Sequence, residues 1–309
     1  MVLRYLVWLA VPLLALLELA AHAYHATRVP QPDQWQEELP AAVQALHHQG
    51  DLIVAAPYWS EPNLRFALGD ELMPLRDIAR PDERGYSRAI EVSVSRERSP
   101  QLLKWEVLNE TTVGKFHLRV LKNPTPSRVL FDFVDNLNAE HASAALVSAG
   151  TPRDCTWDTN AGVSNGALDY GHPTYPKERF RCPASEWNFV GVTVIEDQQY
   201  RPKRCIWAPP AGSRGTRVTF SNVPMGNTVR GYSALPFWNE REGKHNTTQI
   251  QLTVDGVVVG NTKHADGEGW KEFEFPTTTF SGKRATVQFD VTTVRGAPRE
   301  YCFYAEAEQ

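Results

Sequence analysis

Neither half of the chain carries a basic stripe. Its 32 Lys and Arg residues are balanced by 36 Asp and Glu, for a net charge of -4 over 309 residues. Without clustered cations nothing tracks a phosphate backbone, and nucleic acid is excluded as a partner. Methionine is scarce, at three, which argues against an adaptable Met-rich groove. No G-x-G-x-x-G and no P-loop occurs, and Gly50 and Gly69 stand isolated, so a nucleotide site is not expected. None of the four cysteines lies in a C-x-x-C pair, which removes the usual zinc and thioredoxin-like readings. There is no internal repeat and no low-complexity tract.

What is present is an ordinary globular composition, 42% hydrophobic and 22% charged, long enough for about two domains. The 22 prolines and 20 glycines imply many turns and favour β-rich architecture over a helical bundle. At the N-terminus, Arg4 precedes an apolar run from Tyr5 to Leu17. Glu18 interrupts the run, and the small-x-small triplet Ala21-His22-Ala23 follows. Residues 1–23 therefore read as a secretory signal peptide or, if Glu18 is tolerated at the interface, as a single membrane anchor. Either way the rest of the chain is expected outside the cytosol, in the periplasm, the cell envelope or the extracellular space, with the membrane met only through this segment. Four cysteines in an exported chain imply two disulfides and allow three pairings. Cys155–Cys182 and Cys205–Cys302 are favoured. The first closes a loop poor in apolar residues, and the second ties the first strand of the last domain to its final one.

The expected fold class is α+β, a small α/β domain followed by an antiparallel, jelly-roll-like β-sandwich. A linker occupies residues 24–32 and the α/β domain residues 33–123. Asp33 and Gln36 suit a capping box, and Trp35, Leu39, Ala42, Val43 and Leu46 share one helical face, which Pro40 complicates. Asp51 to Ala56 reads as a strand covered on both faces, followed by a short helical stretch over Leu72 to Ala79. Arg88 to Ser95 alternates, as does Lys115 to Lys122, the latter with His117 and Arg119 outward. Pro124 and Pro126 mark the boundary. Residues 127–309 then read as the sandwich, with strands at Thr216 to Val223, Gln249 to Val254, Val257 to Gly260, Lys271 to Phe275, Ala285 to Thr293 and Tyr301 to Ala305. Asp255-Gly256 between two apolar runs is a hairpin signal.

Several residues could carry chemistry. Gly231 to Arg241 reads as a long connection rich in rings and hydrogen-bonding groups, and Trp270 has the parity of Glu272 and Glu274 rather than of core-facing Phe273 and Phe275. Arg230, Tyr232, Trp238, Asn239 and Trp270 are thus candidates for stacking on sugar rings and bonding their hydroxyls; the plainer alternative has Trp270 capping the edge of the core. Glu61, Asp70 and Glu91 lie near Tyr58 and Trp59 in sequence and are weak candidates for the carboxylate pair of a glycosidase. No cofactor is expected beyond a structural calcium ion, for which Asp154, Asp158 and Asp169 in the Cys155–Cys182 loop are the weak candidate ligands, although acidic residues are common in turns. His47-His48 suits a helix C-terminus, and the other histidines are scattered.

The run from Thr216 onward, with Gln251-Leu252-Thr253-Val254-Asp255-Gly256, Gly269-Trp270-Lys271-Glu272-Phe273 and Tyr301-Cys302-Phe303, resembles jelly-roll carbohydrate-binding modules and related envelope sandwiches over about a third of the chain. The resemblance implies a glycan or other envelope component as partner, though such folds also serve as structural or protein-binding units. Trp35 to Tyr58, with Gly50-Asp51-Leu52-Ile53-Val54-Ala55-Ala56-Pro57, resembles the soluble outer domain of lipid-linked-sugar membrane glycosyltransferases. The chain has one apolar segment where those enzymes have many and lacks their acidic catalytic loop, so this likeness implies an accessory protein of envelope glycosylation and not a transferase.

Overall fold

A computed structural model describes residues 2–148, 152–162, 175–185, 187–242, 247–293 and 299–309. The chain divides into two compact units. The first comprises residues 1–77 and 86–126; the second comprises residues 78–85 and 127–309. One break between the units falls after Pro126. The short segment Ile78–Gly85 is different: it interrupts the first unit in sequence yet belongs to the second.

The leader is helical from Val2 to Arg28, with Pro12 inside it. Among the described residues no helix is long and apolar enough to cross a membrane. The first unit holds four strands among the described residues, β1 (Leu52–Ala56), β2 (Arg88–Val94), β3 (Glu106–Val113) and β4 (Phe116–Lys122), in the order β1-β2-β4-β3. β1 runs parallel to β2, and the remaining pairs are antiparallel. All five residues of β1 are buried, as the unbroken apolar run implied. Trp35 packs edge-on against Phe116 at 4.7 Å, which anchors the helical entry to the sheet. That entry is a π-helical turn over Gln34–Glu38 followed by an α-helix over Leu39–Leu46, so Pro40 lies in the first turn of the second piece, where a missing N–H costs nothing. The helical stretch expected at Leu72 to Ala79 begins earlier: one helix spans Glu61–Leu72, kinked at Gly69, and a short one spans Leu75–Ile78.

The second unit is a two-sheet antiparallel sandwich, so the chain as a whole is α+β. Its strands among the described residues are β5 (Val129–Asp132), β6 (Ala142–Val147), β7 (Arg153–Asp154), β8 (Thr156–Asp158), β9 (Arg179–Arg181), β10 (Phe189–Glu196), β11 (Pro202–Trp207), β12 (Gly215–Pro224), β13 (Thr228–Ala234), β14 (Thr248–Val254), β15 (Val257–His264), β16 (Lys271–Pro276), β17 (Arg284–Thr293) and β18 (Cys302–Glu308). One sheet has the order β16-β13-β18-β11-β10-β9-β8, with β5 also paired to β18; the other has the order β15-β14-β17-β12-β6-β7. Residues of both sheets meet in one core. Phe133, Phe220 and Phe289 contact one another edge to face, and Phe289 of one sheet lies 4.9 Å from Phe303 of the other. Along β17 Ala285, Val287, Phe289 and Val291 are buried, the alternation expected of a strand with one wet face. The β14–β15 turn places Asp255 and Gly256 at φ 47° and 80°, left-handed values that suit Asp-Gly.

The disulfides are Cys155–Cys182 and Cys205–Cys302. The second joins the neighbouring strands β11 and β18, where Trp207 is the register partner of Cys302. The loop between Cys155 and Cys182 is less irregular than expected, since β8 and β9 pair within it.

Candidate functional site

β13 replaces what the sequence presented as a connection. Arg230 and Tyr232 lie inside a strand flanked by β16 and β18, not on a binding loop. Alternation sends both to the face away from the sandwich core, where Asp82 of the Ile78–Gly85 segment meets them. The Arg230 guanidinium is 2.5 Å from Asp82 Oδ2 and donates to Glu308 Oε1 from Nε at 3.1 Å and Nη2 at 2.9 Å. Glu272 and Glu306 lie 3.6 and 3.7 Å away. Burial works against this charge, but Asp82 and Glu308 outweigh it and hold the Arg230 pKa above its ordinary value. Burial likewise opposes the Asp82 charge, and Arg230 with the Tyr232 hydroxyl still brings its carboxyl below the usual range. Tyr232 Oη donates to Asp82 at 2.7 Å, and the Tyr232 ring stacks on Trp270 at 5.6 Å, the planes 5° apart. Three of the five predicted ligand residues are thus together, but they face Asp82 and one another.

Asn239 is elsewhere. It lies on the short helix Phe237–Glu242, and its amide donates to Glu300 Oε2 at 2.7 Å. The Trp238 side chain lies outside the described part. Asn239 helps line a cavity of about 630 Å³ at one end of the sandwich, where the connections after β9, β11, β13 and β17 converge. Trp187 and Trp207 form its aromatic wall; Asn188, Arg214, Asn239 and Glu300 supply polar groups. Trp187 is 38% exposed, whereas Trp207 is fully buried and donates from Nε1 to the Trp187 carbonyl. Arg299, also lining the cavity, is ion-paired with Asp266. The lining thus sets aromatic faces beside amides, a carboxylate and a guanidinium on loops held by the sheets, the kind of concave surface on which ligand sites are commonly built. Trp187, two residues before β10 begins at Phe189, was not among the residues singled out from the sequence.

A second constellation was not foreseen. Ser233 Oγ lies 2.9 Å from His264 Nδ1, and His264 Nε2 lies 2.7 Å from Glu240 Oε1. Glu240 Oε2 accepts from the Gly267 N–H at 2.7 Å. The connectivity is that of a nucleophile relay, and the three residues are 0%, 1% and 5% exposed. Its role is to tie β13, the end of β15 and the helix of Asn239 together. The three residues come from three elements, and no sequence spacing announces them.

The candidate carboxylates of the first unit do separate work. Glu91 is fully buried between Arg119 at 2.8 Å and Arg98 at 2.9 Å, and accepts from the Ser99 N–H; Arg119, expected outward, is buried to meet it. Asp70 is exposed and paired with Arg65 at 2.7 Å. Glu61 is buried at the start of its helix. Of the calcium candidates, Asp154 lies exposed in β7, Asp158 accepts from the Asn160 N–H and faces Arg181 at 3.4 Å, and Asp169 lies outside the described residues. Among the described residues no group of three His, Cys, Asp or Glu could hold a metal ion.

No protein-family model matches the chain, and no curated protein matches it. Among solved structures it is similar to the CBM51-2 domain in complex with GlcNAc and INT domains from Clostridium perfringens ZmpB, at TM-score 0.29 and 7% identity over 59% of this chain and 40% of that one. It is also similar to the M60 catalytic domain with the CBM51-1 and CBM51-2 domains of the same protein, at TM-score 0.30 and 8% identity over 67% and 20%. A third is the GH31 alpha-xylosidase Xac1773 from Xanthomonas citri, at TM-score 0.22 and 13% identity over 62% and 18%. The chain spans less than half the length of each.

Proposed function

We propose that this is an exported, non-enzymatic protein of the cell envelope whose sandwich binds glycan in the cavity at its loop end. The observation that carries the reading is the cavity lining: the half-exposed face of Trp187 beside the amides of Asn188 and Asn239, the Glu300 carboxylate and the Arg214 guanidinium. Sugar rings present apolar C–H faces to an indole and hydroxyl edges to amides and charged groups, and this lining offers both. Two disulfides support an oxidising compartment. An accessory role in envelope polysaccharide assembly or glycosylation agrees with that location. Of the five residues first singled out, Asn239 lines this cavity, Arg230, Tyr232 and Trp270 meet one another on β13 and beside it, and the Trp238 side chain lies outside the described part.

Affinity electrophoresis through gels containing envelope polysaccharides, together with a glycan array, tests the proposal. Trp187→Ala and Asn239→Ala are each expected to weaken retention about tenfold, equivalent to ~1.4 kcal/mol. Tyr232→Phe, outside the cavity, should retain as the parent does. Equal retention of all variants, or no glycan retained by the parent chain, would sink the reading. A second reading, contact with another protein through the first unit, draws on Trp59 and Phe66, which are 60% and 78% exposed. Crosslinking in the native envelope that captures a protein through Trp59 but no glycan through Trp187 would favour it.

A further inference from the structure

The Tyr304 hydroxyl stands 2.7 Å from Asp132 Oδ2 and 2.6 Å from Glu306 Oε1. A phenol has one proton and can donate to only one of them. The other contact, oxygen to oxygen at hydrogen-bond distance, needs a second proton, and only a carboxylic acid can supply it. Burial and the neighbouring Asp135 raise the Asp132 carboxyl as well, but its Oδ1 accepts the N–H groups of Val134 and Asp135, which makes it the better anion of the two. Glu306 has no comparable support: its nearest cation, Arg230, is 3.7 Å away and engaged by Asp82 and Glu308.

We propose that Glu306 is held protonated and donates to Tyr304, which donates to Asp132, so that one buried proton latches β5 onto β18. Asp132 and Glu306 are register partners across that strand pair. β5 has only four residues and, among the described residues, pairs only with β18, so the seam depends on few bonds. The charged groups around Glu306 come from several elements. Asp132 and Asp135 lie on and after β5, Glu308 on β18 and Arg230 on β13; Asp135 is neutralised by Arg204 of β11 at 2.5 Å. Asp82 and Glu272 act through Arg230. Burial first, then Asp132 and Glu308, push the Glu306 carboxyl up to about 8. When the proton leaves, two carboxylates face each other across the seam with a single phenol between them. β5 therefore loosens progressively as pH rises from about 4.5 to about 8, and above that the latch contributes nothing, which makes the strand a sensor of the acidity outside the cytosol.

The test is the carboxyl-carbon NMR shift of Glu306 in the parent protein, with hydrogen exchange of the β5 amides. The shift should report a neutral acid at pH 6 and titrate near 8. β5 protection factors should fall by up to tenfold per pH unit between about 4.5 and 8, then level off. In Glu306→Gln, which keeps a donor to Tyr304, that window should be flat. An ionised Glu306 at pH 6, or an unchanged slope in Glu306→Gln, would overturn the latch. The parent titration decides even if the variant does not fold.

Discussion

Arg230 shows how one side chain can organise a face of a sheet. It answers Asp82 and Glu308 directly, and its charge is nearly enclosed. Arg230→Met should therefore cost about 3–5 kcal/mol in urea denaturation, because two carboxylates are left without a counter-charge. A loss near zero would mean that these pairs merely offset their own desolvation. Two carboxyls beside it titrate with opposite consequence. The folded pKa of Asp82 is lowered below 3.8, so its contribution is present above 3.8 and disappears as pH falls through the folded value. Asp82→Asn should shrink the acid limb of a stability–pH profile. Glu306 is raised, so its contribution is complete below 4.5 and lost as pH rises through about 8. Glu306→Gln should shrink that second limb and leave the acid one in place.

At the scale of the element, β17 and β13 make an instructive pair. β17 has one wet and one dry face, and its residues alternate accordingly, so it was legible in the sequence. β13 is just as central, yet it reads Arg-Gly-Tyr-Ser. Its outer positions serve the Asp82 network. Its inner ones are Val229, in the core, Gly231, pressed against β18 and Phe273, and Ser233, bonded to His264. Only Val229 is a large apolar residue on the inner face, and the outer face is polar, so no hydrophobic alternation showed. β3 was missed for the opposite reason: it is largely exposed, so nothing in it needed to be apolar. The cavity was half legible. Asn239 was singled out, but the four connections that gather around it are far apart in sequence, and only the sandwich brings them together. Gly231 also gives a test of the strand assignment. A Cβ there would lie 2.0 Å from the Tyr304 carbonyl oxygen and 2.6 Å from the Phe273 ring. Gly231→Ala should destabilise by about 1–3 kcal/mol, as overpacking does. An unaffected melting temperature would argue against the β13–β18 pairing.

For the molecule as a whole, the Cys205–Cys302 bridge spans 97 residues of sequence while joining adjacent strands. A loop of that length makes the bond valuable mainly by restricting the unfolded chain. The double variant Cys205→Ser, Cys302→Ser should lose about 2–5 kcal/mol in denaturant unfolding. Removing Cys155–Cys182, which closes 27 residues, should cost less by the same logarithmic dependence. A larger loss from the shorter loop would show that local packing, not chain restriction, dominates.

The eight residues Ile78–Gly85 mean that the two units are threaded rather than strung like beads. Asp82 is supplied from upstream of the first unit's β2, so an excision at Pro126 would take the sandwich away from its own counter-ion. Such a transplant would arrive in a new host with Arg230 and Tyr232 turned towards water. Whatever shuffles these halves during evolution or in the laboratory has to carry that short piece along, or find another acid to put in its place.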